Sequence, residues 1–416
     1  MRDRRRKKAR VSAKVALAMV AGLQLGLSAC ATPSRLPAVP VQATLRADTG
    51  LGPVRYMVAR ETATYAAEAG NLIRKEQAYL ASIGHTGPMP QVSILAISGG
   101  GDNGAFGAGL LNGWTESGTR PTFKVVTGVS TGALSAPFAF LGSAYDPVLK
   151  EVYTTKSQRD IFKKRSFLTG LFGDAMADTD PLYALISRHV DRALLDAIAA
   201  EYAKGRVLLV ATTNFDALEP VVWNMTAIAA SKDPRAPELF RKVLLASASI
   251  PGAFPPVMIN VEVDGVRYSE MHVDGGAMTQ VFLYPPSFNA PEFARSMGVK
   301  RLQGPRLFII RNARLDPDWA SVERRVLPIA ARAIGSLTQT QGVGDLYRIY
   351  ATAMRDGLDY NLAFIPPTFN VERREEFDTH YMRQLYEVGR SMAAAGYPWQ
   401  KSPPGFDRTR DYAETP

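Results

Sequence analysis

Residues 123–133 read FKVVTGVSTGA, and the spacing within them decides what the chain does there. An apolar pair, Val125 and Val126, runs into Gly128-Val129-Ser130-Thr131-Gly132, after which Ala133 and Leu134 favour a helix. Glycines two residues before and two after a serine remove side chains that would collide in a sharp passage from strand to helix. The Ser130 hydroxyl then stands clear of the backbone at the end of a sheet, near the positive N-terminus of the next helix. A nucleophilic serine needs that placement. A pattern this short also arises by chance in a chain with 34 glycines, so its meaning rests on its flanks.

Upstream, Val92, Ile94, Leu95, Ala96 and Ile97 make a short apolar strand. Ser98-Gly99-Gly100-Gly101-Asp102-Asn103-Gly104 follows, then a helical run, AFGAGLLNGWTE, and a turn at 118–121. Strand, glycine loop, helix, strand, elbow, helix is an α/β alternation, and it implies a parallel sheet covered on both faces. Later strands are expected at 207–212, within 261–273, at 306–311 and at 359–365. Helices are expected at 181–204, 237–248, 321–353 and 375–395. Gly99, Gly101 and Gly104 also spell the dinucleotide fingerprint GxGxxG. The strand that follows ends in Gly128-Val129-Ser130, where that fingerprint calls for a ribose-binding acid. An oxyanion hole is the better reading: consecutive glycines at a helix N-terminus let backbone N–H groups converge on a negative oxygen. A tight turn that serves packing alone is the bland alternative.

A serine nucleophile needs a base. The four histidines are His85 in a Gly-rich turn, His189 in LISRHVDRALLD, His272, and His380 in a charged C-terminal helix. None has a distinctive local setting. Asp274 differs, because it stands at a strand end and is followed by Gly275 and Gly276. An acid and two glycines at a strand end project a carboxylate into the crevice where α/β sites lie. An Asp-Gly hairpin turn would look the same. Strand alternation keeps His272 as a minor candidate, two residues before Asp274.

These pieces together resemble the patatin-like phospholipases. The matching parts are Gly99-Gly100-Gly101, Gly128-Val129-Ser130-Thr131-Gly132, the run ASASIPGAFPP at 246–256, and Asp274-Gly275-Gly276, in the family's order across roughly 91–280. The resemblance implies a three-layer α/β/α fold with a mostly parallel central sheet. It also implies a Ser–Asp dyad that hydrolyses lipid acyl esters. Carried over, Ser130 is the nucleophile, Asp274 the base, and the N–H groups of Gly99, Gly100 and Gly101 the oxyanion hole. Gly128 and Gly132 shape the elbow; Gly275 and Gly276 shape the acid loop. Where many members carry a basic residue late in the glycine loop, this chain has Asp102-Asn103. A Ser-His-Asp hydrolase and a non-catalytic envelope lipoprotein of the same fold are the competing readings.

Residues 1–29 resemble a lipoprotein signal: a basic run MRDRRRKKAR, the apolar VALAMVAGLQLGL at 15–27, and a junction Leu27-Ser28-Ala29-Cys30. Cys30, the single cysteine of 416 residues, is the expected lipidation site. The chain carries a formal net charge of +10, but the leader holds eight of the 49 basic residues and one of the 39 acidic ones. The remainder is close to balance, 41 against 38, which gives no argument for nucleic acid. The expected division is a signal at 1–29, a flexible tether at 30–52, an N-terminal helical extension at 53–90, the catalytic domain at 91–370 and a C-terminal helical extension at 371–416. The tether reading rests on a Pro- and Ala-rich, non-periodic stretch. No cofactor and no metal are called for. The expected partners are a phospholipid or lysophospholipid substrate and a membrane reached through the lipid anchor, in a bacterial cell envelope and on its outer membrane. Phe162–Phe172, a basic triplet among large apolar residues, reads either as an interfacial lip or as core packing with a solvated basic turn.

Overall fold

Ser93–Ile97 and Val207–Asn214 are buried at every position and Val125–Val129 at all but the first. Such near-continuous apolar runs belong to strands covered on both faces. The computed structural model describes residues 34–58, 60–166, 173–317 and 319–406. Cys30 and the leader lie outside them, as do residues 167–172 of the Phe162–Phe172 stretch.

Nine strands form one sheet: β1 Arg55–Met57, β2 Ser93–Ile97, β3 Val125–Val129, β4 Val207–Asn214, β5 Glu219–Asn224, β6 Val257–Val263, β7 Val266–Asp274, β8 Arg306–Arg311 and β9 Asp359–Phe364. Their order is β1-β5-β4-β3-β2-β8-β9, with the hairpin β6–β7 joined to β4 through β7. The central five strands, β4 to β9 in that order, are parallel; β1, β5 and the hairpin add antiparallel pairs.

The helices that matter for the site are α1 Thr62–Ser82, α2 Gly104–Glu116, α3 Thr131–Leu141, α4 Asp146–Thr155, α5 Ala236–Ser247, α6 Val326–Asp356 and α7 Thr379–Ala394. The first core cluster joins α2, α3, α5 and α7 to one sheet face through residues such as Leu110, Ala136, Phe240 and Leu385. Opposite it, α6 packs Leu346 and Ile349 onto β2, β8 and β9, while Tyr65 and Leu72 of α1 lie against β3, β4 and β5. The result is a three-layer α/β/α body.

The sheet's register places the site. Val129, the last residue of β3, pairs with Ala211 of β4. Asp274, the last residue of β7, pairs with the next residue of β4, Thr212. β7 therefore occupies the lane that β3 vacates, running the opposite way, and the two strand ends meet head to head.

Several expectations differ from the structure. The Asp-Gly hairpin turn of this region is Asp264-Gly265, with φ of 51° and 79°, so Asp274-Gly275 is not a hairpin turn. The expected helix at 181–204 is two, Asp180–His189 and Arg192–Ala203, because Asp191 caps the second by accepting the Leu194 N–H at 2.9 Å. The stretch from 54 begins as edge strand β1, whose residues pair with β5 before α1 starts at Thr62. Residues 34–52 are not a free tether. Val39, Ala43 and Ala47 are buried, Arg35 binds Asp216, and Asp48 bridges Glu262 of the hairpin. Apolar side chains at that spacing found a face to cover, which composition alone does not reveal. At the other end α7 is core: Gly109 and Gly113 of α2 lie so close to it that a Cβ at either would collide with the carbonyl oxygens of Tyr386 and Arg390.

Candidate active site

Ser130 sits between β3 and α3 with φ 54° and ψ −125°, a conformation that costs a non-glycine residue on the order of 1–3 kcal/mol. Its neighbours permit the turn. A Cβ on Gly128 would lie 2.6 Å from the Gly132 carbonyl oxygen, and one on Gly132 would lie 2.6 Å from that of Ser98. The strain is held in place by Ser247, at the end of α5. Its Oγ accepts the Ser130 N–H at 3.0 Å and donates to the Ala211 carbonyl at 2.7 Å. Ser130 is 7% exposed.

Asp274 arrives from the facing strand end, close enough for the Ser130 hydroxyl to act on its carboxyl. Its Oδ1 accepts the Gly276 N–H at 2.7 Å, and its own N–H donates to the Ser249 carbonyl at 2.8 Å. Burial pushes the Asp274 carboxyl up to about 7, although the nearby Ser130 hydroxyl and the Gly276 N–H pull the other way. Ser247 and Ser249 thus hold the two strand ends together. Both lie in ASASIPGAFPP, a stretch that entered the sequence reading by resemblance alone; no local pattern in it announces the two bonds.

The glycine loop flanks Ser130. A Cβ on Gly99 would lie 3.1 Å from the Ser130 Cβ. The Gly99 N–H, expected to join an oxyanion hole, instead donates to the Gln280 carbonyl at 3.0 Å. It stands two residues past β2, where the loop is tied to the segment after the acid loop. Among the described residues neither the Gly100 nor the Gly101 N–H has a partner. Gly101 has φ 59°, and a Cβ on Gly100 would collide with the Asn312 carbonyl.

Three supports of this loop are not legible in the sequence. Asn312, just past β8, donates its N–H to Ser98 Oγ at 2.8 Å, its Nδ2 to the Ser98 carbonyl at 3.0 Å, and accepts the Gly107 N–H at 3.0 Å. Gln280 donates its Nε2 to the Gly276 carbonyl at 2.6 Å and to Gln341 of α6 at 3.3 Å, joining acid loop, glycine loop and helix. Asp102, in the position where a basic residue is common, is buried and accepts Arg373 Nη1 at 3.0 Å and the Phe377 N–H at 3.1 Å. Asn103 accepts the Tyr381 hydroxyl at 2.6 Å. The departure from the family pattern therefore fastens the loop to the C-terminal segment, which brings a guanidinium to it.

None of the four histidines reaches Ser130. His272 is fully buried between Thr212 and Glu270. The Glu270 carboxylate can only accept, so His272 Nε2–H donates to it and the neutral ring's Nδ1 accepts the Thr212 hydroxyl, which in turn accepts Trp223 Nε1–H at 2.8 Å. Burial lowers its pKa and keeps it neutral, and Arg55 closes the network on Glu270. His85 bonds the Pro88 carbonyl, and His380 lies in the first turn of α7. His189 lines an apolar cavity but makes no bond to Ser130. That cavity, about 620 Å³, opens beside Thr131 and is lined by Leu134, Phe138, Ile161, Leu185 and Phe377. A larger space of about 990 Å³ lies on the other sheet face, between Leu209, Val222, Phe282 and Ile349, away from both reactive groups.

A serine on a strained elbow, beside a buried aspartate at the end of a mostly parallel sheet, makes a Ser–Asp pair on an α/β/α fold. Residues 95–284 match the family model for patatin-like phospholipases, and the chain carries a patatin-like phospholipase domain. Among solved structures, VipD from Legionella pneumophila is 12% identical with a TM-score of 0.33, covering 74% of this chain and 67% of that one. Full-length SpcU in complex with full-length ExoU from the Pseudomonas aeruginosa type III secretion system matches at 13% identity and TM-score 0.31, covering 74% and 52%. Human GIVD cytosolic phospholipase A2 matches at 9% and 0.27, covering 68% and 52%. The chain thus spans about half the length of the last two matched chains, and likenesses this remote carry no argument about its substrate. No curated protein matches the chain.

Proposed function

We propose that the protein is a lipid acyl hydrolase of the phospholipase A or lysophospholipase type, working through a Ser130–Asp274 dyad. The observation that carries this is the meeting of the two strand ends, which sets the Ser130 hydroxyl beside a buried Asp274 carboxyl lifted to about 7. An ordinary carboxylate is too weak a base for a serine hydroxyl; one raised toward neutrality is better matched. Ser130 Oγ attacks the ester carbonyl carbon while its proton passes to Asp274. The resulting oxyanion is met by the free N–H groups of Gly100 and Gly101. Asp274 returns the proton to the departing alcohol oxygen, which leaves an acyl-serine. Water then gives a proton to Asp274 as its oxygen attacks the acyl carbon; the Ser130–acyl bond breaks, Ser130 recovers the proton, and the fatty acid leaves. The cavity beside Thr131 suits the acyl chain, being lined almost wholly by apolar side chains.

Fatty-acid release from phospholipid and lysophospholipid vesicles by the wild type, and none by Ser130→Ala, tests the reading. Vesicles left intact by a folded wild type would contradict it. We further propose, from the leader sequence, that Cys30 carries the lipid that holds the protein in a bacterial envelope, on its outer membrane. Labelled palmitate should then enter the wild type and not Cys30→Ser.

A further inference from the structure

Helix α6 is two helices in character. Its C-terminal half is core, with Leu346, Ile349 and Ala353 buried against the sheet. Its N-terminal half and the segment before it project. From Trp319 to Leu337 only Pro328 and Arg332 are even half-buried. Trp319, Val326, Leu327, Ile329, Ile334 and Leu337 are each 53% to 87% exposed. Elsewhere among the described residues, large apolar side chains more than half exposed stand singly, at Val41, Ile83, Leu218, Val266 and Leu302. Single exposed apolar residues need no explanation, whereas a run of six does.

This half-helix faces an unusual way. Pro328, Arg332 and Gln339 share one helical face, and that face meets the body, with Gln339 donating to the Arg314 carbonyl at 3.0 Å. Val326, Ala330, Ala333, Ile334 and Leu337 share the opposite face and look outward. The helix has turned its oily side away from the protein. The exposed charges here are Arg324, Arg325 and one acid, Glu323, which lies 3.4 Å from Arg325, so Arg324 leaves the balance positive, while Arg332 sits on the body-facing side. The shape is a convex ridge rather than a groove, it is aliphatic with a tryptophan at one end, and its charge is positive. A ridge of that kind suits insertion among acyl chains beneath anionic headgroups.

We propose that residues 319–337 are a lipid-docking ridge that seats the protein on an anionic membrane surface. The same helix runs on to Gln341, whose bond to Gln280 connects it to the acid and glycine loops. Docking is thereby continuous with the site. The proposal draws its purpose from the lipid-hydrolase reading, but its test reads binding and not turnover.

The full chain carrying Ser130→Ala, which leaves lipids intact, is mixed with phosphatidylcholine–phosphatidylglycerol vesicles whose acyl chains are brominated, and tryptophan emission is followed. Trp114 and Trp223 are buried and Trp399 is half-buried, so quenching from the bilayer reports Trp319. Emission should shift to the blue and be quenched, and Trp319→Phe should abolish that change. Ile334→Glu with Leu337→Glu should weaken vesicle affinity by about tenfold or more, with helicity retained by circular dichroism. Arg324→Glu with Arg325→Glu should weaken it on anionic vesicles and not on pure phosphatidylcholine. Trp319 emission of the Ser130→Ala chain unchanged by vesicles would overturn the proposal, whatever the further variants do. So would emission already blue-shifted without lipid in a self-associated chain, since a second copy then covers the ridge.

Discussion

Replacing Asp274 with asparagine should stabilise the protein at alkaline pH while disabling it. The carboxyl is 4% exposed and meets only the Ser130 hydroxyl and the Gly276 N–H, so the folded protein binds its proton more tightly than the unfolded chain does. A group raised in the folded state contributes stability that is fully present below its unfolded value, 3.8, and is lost as pH rises through its folded value, about 7. At about 1.4 kcal/mol per pH unit, the shift amounts to roughly 4 kcal/mol, about a quarter to four-fifths of a typical domain's stability. Asparagine keeps the shape and the acceptor for Gly276 N–H but carries no charge to desolvate. Urea unfolding of wild type and Asp274→Asn is compared at pH 4, 6 and 8, so that every other titrating group cancels in the difference. The difference should be small at pH 4 and grow toward about 4 kcal/mol in the variant's favour at pH 8. Unfolding midpoints that run parallel across the series would refute the claim that this aspartate is held as a buried, proton-retaining group.

Gly100→Ala should cost about 10²–10³ in turnover with little loss of substrate binding, measured as kcat against KM on a soluble ester, because the added methyl displaces an oxyanion donor from Asn312. Arg373→Ala leaves the buried Asp102 carboxylate with the Phe377 N–H alone. It should cost about 1–3 kcal/mol in thermal unfolding and slow turnover, and Asp102→Asn in the same chain should restore part of both. Gly109→Ala drives a methyl into the Tyr386 carbonyl where α2 crosses α7. A loss of about 1–3 kcal/mol is expected in urea unfolding.

The parts legible in sequence are those where local chemistry and global position coincide. The elbow can be read because a serine at positive φ needs glycines at fixed offsets, and Gly128 and Gly132 supply them. The parallel core strands can be read because burial on both faces leaves unbroken apolar runs such as Val207–Ala211. Asp274 is visible as an acid at a strand end, but its meeting with Ser130 depends on β7 filling the lane beyond β3, a fact of pairing rather than of either strand's sequence. β1 and β5 carry no such signal, because three and six residues of ordinary composition acquire their meaning only from each other and from β4. Ser247, Gln280, Asn312 and Arg373 are common polar residues whose partners lie far along the chain. Gly99 answers to its expected role only in part: it is close to Ser130 as its lack of a side chain requires, yet its N–H is taken by Gln280.

The dyad is tested most directly by kcat/KM for p-nitrophenyl ester hydrolysis across pH, in wild type, Ser130→Ala, Asp274→Asn, their double mutant, and His85→Gln, His189→Gln, His272→Gln and His380→Gln. Each protein is first checked for folding by circular dichroism. Because the base acts as carboxylate, wild-type kcat/KM should rise with pH through about 7. Ser130→Ala and Asp274→Asn should fall nearly as far as each other, with the double mutant little worse than either, since the two groups act as one unit. The four histidine variants should keep most of the activity. A folded histidine variant at the level of Ser130→Ala, or a folded Asp274→Asn with near-wild-type turnover, would contradict the account.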